Sequence, residues 1–539
     1  MAIIETSIRS ASPDYLSNRA AMEALLGRVV ELQGRARDAS SAARERFNKR
    51  GQLLPRDRLG LLLDRGAPFM ELCGLAGYCL DNSDPATSVP GAGIIAGIGE
   101  VSGKRCVILA NDSGIDAGAL QPMGLDKHLR VQEIAMRCRL PYIQLVESAG
   151  ANLTKYRVDE FVKGGRLFAN LAQMSAQGVP IVTITHGAST AGGAYQTGLS
   201  DFVIMVRGRT RAYLAGPALL QAATGEVATD EELGGADMHS AISGLGDFLA
   251  SNDREAIAIA RDLISKQPWT TAASPVSPRA RRAPRYDAEE LLGIMAADGR
   301  KPTEMREVVA RIVDDSDFLE FGVRYGALTV CGYAVIDGWP VGIVTNNGPI
   351  DADGAAKATH FIQACCQSGT PLIYLQNVTG YMVGKTHEER GIIKHGSKMI
   401  QAVANANVPQ ITIQCGASYG AGNYGMCGRG FNPHFLFSWP SARTAVMGAQ
   451  QAADTMANVL ESAKARKGRL DRGRIEAMRQ AIIATFERQM DVFTTSAFVL
   501  DDGVIDPRQT RDVIALALDA CRSASQSTTQ PVQFGVARP

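Results

Sequence analysis

A chain of 539 residues exceeds one ordinary core, and 45% hydrophobic with 21% charged residues is the composition of a globular protein of two or more domains, not a disordered one. The formal net charge of +1 supplies no bulk field toward nucleic acid or an anionic membrane. No uninterrupted apolar run reaches the roughly 18 residues of a membrane-crossing helix.

In chain order, Met1 to Leu16 carries Glu5, Arg9 and Asp14 and no long apolar stretch, so neither a signal nor a transit peptide is expected there. Residues 17–65 are expected to be helical, amphipathic and rich in charge, from Arg44 and Glu45 to Arg58. Such a segment serves either as an arm that contacts a partner or nucleotide, or as a solvated helical face. Short β-branched runs then alternate with helical stretches: Cys106 to Ala110, Leu125 to Arg137, Tyr142 to Val146, Gly165 to Ala176 and Ile181 to Thr185. Strands alternating with helices predict an α/β fold with buried strands. Between Ser265 and Asp287 the composition shifts to Pro275, Pro278, Pro284 and the basic run Arg279 to Arg282. Proline removes backbone donors and the charges oppose burial, which marks a linker. The expected organisation is an N-terminal domain over 1–265, a linker over 266–287 and a C-terminal domain over 288–539.

The halves repeat each other. The run Leu140 to Gly150 matches Thr370 to Gly380 at an offset of 230, Gly178 to Gly193 matches Asn407 to Gly422 at 229, and Gly216 matches Gly448 at 232. Three ordered matches at nearly one offset indicate a duplicated domain.

Each half sets a glycine-rich turn between a buried strand and a helix start: Thr190, Ala191, Gly192, Gly193, Ala194 and Tyr195 in the first, Tyr419, Gly420, Ala421, Gly422, Asn423 and Tyr424 in the second. Missing Cβ atoms let an oxygen approach backbone amides, and unpaired N–H groups at a helix start favour negative charge. A turn of this kind can stabilise an oxyanion or enolate without a charged side chain; it can also be plain tight packing, a reading that two equivalent turns make harder to hold. No G-x-x-x-x-G-K-[ST] is present, and although Gly420, Gly422 and Gly425 have G-x-G-x-x-G spacing, no acidic residue follows about 20 positions on as a dinucleotide site needs, so neither a P-loop nor a Rossmann site is expected. There is no H-E-x-x-H and no metal-spaced histidine cluster, so no metal site is expected. His186 and His395 could titrate in a site, although structural or surface roles suit both. The ten cysteines form no C-x-x-C pair and fit the reduced thiols of a cytoplasmic protein; Cys427, inside the second glycine-rich segment, is read as packing. Two oxyanion turns without an evident protein base imply that the base comes from a cofactor or from the substrate.

The paired turns, together with Tyr213 to Pro217, Ala223 to Glu226, Glu232 to His239 and Asp501 to Pro507, resemble the carboxyltransferase (β) subunits of biotin-dependent acyl-CoA carboxylases over Asn18 to Val536. The resemblance implies two duplicated crotonase-like domains of the ClpP/crotonase superfamily, with an active site between the N-terminal domain of one subunit and the C-terminal domain of another. It implies an α subunit bearing biotin carboxylase and biotin carrier parts. This chain lacks a carrier-type Met-Lys-Met, so biotin would arrive on that partner, with a CoA thioester as substrate. A homo-oligomeric core is implied as well, a hexamer within an α6β6 complex.

By motif, Gly192 and Gly193 would receive the thioester oxygen; Ala421 and Gly422, with Gly420 beside them, would receive the biotin ureido oxygen. Carboxybiotin would release CO2, its ureido nitrogen would take the substrate proton, and the enolate would attack CO2. Ala149, Gly150, Gly164, Gly165, Ala191, Tyr195, Gly420, Asn423 and Tyr424 are the expected substrate-binding positions. Lys155, Arg157 and Arg166 are candidates for the CoA phosphates. Gln376 to Gly384 and Gly422 to Arg429 resemble the methylcrotonyl-CoA and geranyl-CoA branch, which carboxylates the γ carbon of 3-methyl-2-enoyl thioesters. Within it, Gly164 stands where methylcrotonyl enzymes carry Phe, which opens room for a longer isoprenoid tail. The shorter Leu153 to Gly164 segment and Asn346 to Asp353 also resemble the geranyl type, whereas Ala149 replaces a usual Gly. Two rivals remain: a biotin-free crotonase-type hydratase or isomerase, which would need an acidic pair beside Ala191 to Tyr195, and a non-catalytic assembly subunit.

Overall fold

In a computed structural model the described residues are 3–150, 157–269, 280–296, 303–465, 472–526 and 530–531. They fall into two compact units. One comprises the described residues of Glu31–Pro275, Ala497–Val499 and Asp519–Pro539; the other those of Met1–Val30, Val276–Ser496 and Leu500–Leu518. The opening residues thus group with the second half of the chain and the closing ones with the first. The expected helical stretch near the N-terminus forms helices Pro13–Ser41, Arg44–Lys49 and Pro55–Leu62. Of the expected linker, residues 270–279 lie outside the described residues, as do Lys155 and Val536.

The first unit is built on an eight-stranded sheet: β1 (Met70–Glu71), β2 (Ile94–Val101), β3 (Lys104–Asn111), β4 (Tyr142–Ser148), β5 (Ile181–Thr190), β6 (Phe202–Val206), β7 (Arg211–Tyr213) and β8 (Phe248–Ala250). Its order is β1-β2-β3-β4-β5-β6-β8, and β7 pairs with the end of β5. The second unit has seven strands: β9 (Leu319–Phe321), β10 (Thr329–Ile336), β11 (Trp339–Asn346), β12 (Leu372–Val378), β13 (Gln410–Tyr419), β14 (Phe435–Ser438) and β15 (Arg443–Ala445). Its order is β14-β13-β12-β11-β10-β9, with β15 on the end of β13.

In each unit one antiparallel hairpin, β2–β3 or β10–β11, leads into a run of parallel strands. The parallel strands are buried almost throughout, as in β4 and β12, because helices cover them. The apolar core of the first unit includes Ile108, Ile143, Val182 and Ile184, and that of the second Val344, Phe361, Leu372 and Tyr374. Even an irregularity is duplicated: register shifts between Val146 and Ser148 on β4 and between Gln376 and Val378 on β12. The expected pair of duplicated crotonase-like α/β domains is what the chain contains.

Candidate active site

Both glycine turns follow the longest strand of their unit. In the first, β5 pairs with β7 through Thr190 and Tyr213, and the Ala191 N–H donates to the Tyr213 carbonyl at 3.0 Å. Ala191 has φ 52° and ψ −110°, a conformation costly for a residue with a Cβ, held by the strand pair before it and the helix Gly192–Gly198 after it. Gly192 and Gly193 open that helix, where N–H groups have no partner within the helix. A Cβ on Gly192 would lie 3.3 Å from the Phe168 ring, and one on Gly193 3.4 Å from Ser189 Oγ. The Ser189 and Thr197 hydroxyls bond at 3.0 Å, and Thr197 donates to the Gly193 carbonyl at 3.3 Å.

In the second turn, β13 pairs with β15 through Tyr419 and Ala445, and Gly420, at φ 54°, starts the helix Gly420–Gly425. A Cβ on Gly422 would lie 2.8 Å from Val378 Cγ2 and 3.0 Å from Gly380 Cα, so no side chain fits there without movement. Tyr381 is wedged between two glycines: a Cβ on Gly396 would come within 3.1 Å of its ring, and one on Gly425 would overlap its hydroxyl. Tyr195 and Tyr424 occupy matching places after the two turns, and each is about half exposed. Tyr195 meets Phe168 edge to face at 5.9 Å, and Tyr424 meets Phe431 at 5.8 Å.

The other expected binding residues divide. Gly150, at φ 92°, lies against the first turn, its missing Cβ 3.6 Å from the Thr190 carbonyl; Gly380 does the same to Tyr419 at 3.7 Å. The Ala149 N–H is taken by the Ala117 carbonyl and the Gly150 N–H by Ser148 Oγ, so these two amides serve the loop. Gly164 and Gly165 lie in the helix Val158–Ala176, where a Cβ on either would meet nothing within 4 Å. Gly164 shares a helix face with Phe168 four residues on, and Phe168 touches the first turn. Asn423 turns its amide inward to Ser418 Oγ at 2.7 Å. Arg157 is engaged by Asp159 at 2.7 Å, and Arg166 is exposed.

Sequence reasoning missed the buried ions of the first unit. Arg58 reaches Glu147 at 2.5 Å and Asp253 at 3.1 Å with almost no exposure. Glu147 also accepts from Ser113 Oγ and Gln52 Nε2. Burial raises the Asp253 carboxyl pKa, but hydrogen bonding to His186, the Arg58 charge and the Leu53 N–H more than offset it and hold it near about 2. His186 Nδ1 meets Asp253 Oδ1 at 2.7 Å. Burial and the Arg58 charge lower the imidazole pKa, the Asp253 contact opposes them, and the fully buried ring serves as a brace for Asp253. At the position matching Glu147 the second unit has Asn377, a neutral amide, packed against Gly416 as Glu147 is against Gly187.

All ten cysteines are free thiols, and Cys427 is buried. Among the described residues no group of three or more His, Cys, Asp or Glu could hold a metal, and no helix is long and apolar enough to cross a membrane.

Comparison with known proteins adds names to this geometry. The family described as carboxyl transferase domain matches residues 46–534. A probable methylcrotonoyl-CoA carboxylase beta chain of Drosophila melanogaster is 42% identical over 99% of this chain and 95% of its own length. The biotin-dependent 3-methylcrotonyl-coenzyme A carboxylase beta1 subunit of Mycobacterium tuberculosis is 44% identical over 94% of this chain and 95% of its own. Among solved structures, the geranyl-CoA carboxylase beta subunit of P. aeruginosa superposes with a TM-score of 0.93 at 47% identity, covering 99% of both chains.

Proposed function

Since this chain belongs to the carboxyl transferase family and is a biotin-dependent acyl-CoA carboxyltransferase of the methylcrotonyl-CoA and geranyl-CoA carboxylase type, we propose that its own substrate is geranyl-CoA, carboxylated at the γ carbon. The observation that carries this reading is the open space at Gly164, on the helix face that reaches the first turn through Phe168. A ring at that position would fill the room that a longer isoprenoid tail needs. The 47% identity to a geranyl-CoA carboxylase beta subunit supports the same choice.

In this reading the N–H groups of Gly192 and Gly193 hold the thioester oxygen as it gains negative charge, and those of Ala421 and Gly422 hold the biotin ureido oxygen. One donor of this kind is typically worth about 3 kcal/mol in the transition state. Biotin, carried by a partner α subunit, supplies the carboxyl group and a ureido nitrogen able to accept the substrate proton. The second turn suits such a flat, uncharged group, because the side chains that brace it are the neutral Gln376, Asn377, Ser418 and Asn423. Ala191 sets the entry angle of the first helix, Gly150 walls the first turn, and Tyr195 and Tyr424 flank the two bound groups.

Large apolar side chains are exposed in both units: Phe161, Val162 and Leu214 in the first, Val383, Ile393 and Val446 in the second. Exposed large apolar side chains of this kind suit surfaces that bury against a partner. They support a site shared between the first unit of one copy and the second unit of another, in a hexameric core of an α6β6 complex. The free cysteines support a cytoplasmic location.

The test is kcat/KM for enoyl-CoA thioesters of increasing chain length, with the biotin-bearing partner supplied, for the native chain and Gly164→Phe. The native chain should prefer geranyl-CoA to 3-methylcrotonyl-CoA, and Gly164→Phe should shift that preference by about 10-fold or more toward the shorter substrate. Equal effects on the two substrates would remove the pocket argument and leave 3-methylcrotonyl-CoA as the better reading.

A further inference from the structure

Gln376 sits near the end of β12 with no solvent exposure. Its Oε1 accepts from Ser418 Oγ at 2.6 Å, and its Nε2 donates to the Met426 carbonyl at 2.7 Å. Ser418 Oγ in turn accepts from Asn423 Nδ2 at 2.7 Å. A hydroxyl has one proton. Because Asn423 donates into Ser418, the Ser418 proton goes to Gln376 Oε1. The Met426 carbonyl can only accept, so the Gln376 amide has one workable orientation; the flipped one would set oxygen against oxygen. Ser418 precedes the second turn, and Asn423 and Met426 follow its first residues. One buried side chain therefore ties both ends of the segment that carries Ala421 and Gly422.

The fold does not require this arrangement. At the matching position β4 has Val146, and the side-chain bonds at the first turn run between Ser189, Thr197 and the Gly193 carbonyl. The polar relay is an addition made only in the second half. Gly428 protects it, since a Cβ there would overlap the Asn423 amide, and the Gly428 N–H holds the Asn423 carbonyl at 2.8 Å.

We propose that Gln376 is a positioning residue for carboxyl transfer: through Ser418, Asn423 and the Met426 carbonyl it fixes the direction of the Ala421 and Gly422 N–H groups. This rests on the reading that the second turn receives the biotin ureido oxygen. A donor displaced by a fraction of an ångström loses much of its effect on the reacting geometry.

The experiment uses the full chain assembled with its biotin-bearing partner. Carboxyl transfer from a γ-carboxylated thioester to free biotin is measured beside the Kd for the acyl-CoA. Gln376→Met should lower kcat about 10- to 100-fold and leave the acyl-CoA Kd within about twofold. Ser418→Ala should cause a similar loss, and the double variant should be no worse than the poorer single one, because both cut one relay. Gln376→Glu keeps the acceptor for Ser418 but turns an oxygen to the Met426 carbonyl. Its activity relative to the native chain should rise as pH falls and the carboxyl gains a proton to donate, a response that a packing role would not produce. Native turnover in Gln376→Met, or losses that multiply in the double variant, overturn the positioning role and leave the assignment of the turn standing. A weakened acyl-CoA Kd with unchanged kcat overturns both.

Discussion

Glu147 and Asn377 occupy matching places on β4 and β12, each pressed against a glycine of the neighbouring strand. Around Glu147 the first unit collects Arg58, Asp253 and His186; Asn377 instead accepts from the Ala417 N–H, and the neighbouring Gln376 binds Ser418, which accepts from Asn423. The matching stretches of β4 and β12 thus carry buried ions in one half and neutral amides in the other. Buried ions must stay paired, because a charge stranded in low dielectric has no solvent to turn to. Buried amides lose less when cut but can be aimed more finely, each having a donor end and an acceptor end. The difference suits the proposed division of labour, with a rigid floor under the half that meets the thioester and a directed set of donors under the half that meets an uncharged ureido group.

The sharpest way to break the comparison is at the turns themselves. Gly422→Ala drives a Cβ into Val378 and the Gly380 backbone, whereas Gly193→Ala meets only ordinary contact with Ser189. Turnover should fall about 100-fold or more in the former, the order of a lost oxyanion donor, while the melting temperature of Gly193→Ala stays near that of the native chain. Equal melting temperatures for both variants would remove the asymmetry in packing.

The next effect is on stability. Arg58→Met leaves Glu147 and Asp253 buried without their cation and should cost roughly 3–5 kcal/mol. Asn377→Leu, at the matching floor of the second unit, should cost about 1 kcal/mol. Denaturant unfolding of the two variants reads this directly, and similar costs would mean that the ionic floor carries no special weight.

A smaller effect appears only in acid. His128, buried beneath β4 and bonded to the Tyr142 hydroxyl at 2.9 Å, is pushed down by burial to about 4. The unfolded chain takes up this proton below about pH 6.5 and the folded one does not, so the stability present above pH 6.5 is lost as pH falls toward 4. The loss at pH 4 should be about 3 kcal/mol. His128→Gln should flatten that part of the profile, as followed by melts at a series of pH values, and an unchanged slope would reject the assignment.

Much of the architecture was legible in the sequence. The repeated strand, turn and helix-start pattern carried the duplication, since buried strands read as short apolar runs and the turns as clustered glycines. The ionic floor was not legible, because Arg58 lies 89 residues from Glu147 and 195 from Asp253, and no local pattern links them. Asn423 looked like a ligand contact because it stands in the turn; its inward bond to Ser418 depends on the register shift that carries Ser418 opposite Val378. Gln376 carried a faint signal, a polar residue in a buried strand where the first half has Val146, whose meaning emerges only when the halves are compared.

The central claim is that the two turns serve one carboxyl transfer, with the first unit of one copy facing the second unit of another. Gly193→Val and Ala421→Pro each disable one turn, the latter by removing an N–H at a helix start where proline is tolerated. Each variant alone should be inactive in the assembled complex. Unfolded and reassembled together in equal amounts, they should recover about one quarter of native turnover, because a site shared between copies then draws both turns intact at that frequency. No recovery from a mixture that assembles normally would contradict the account.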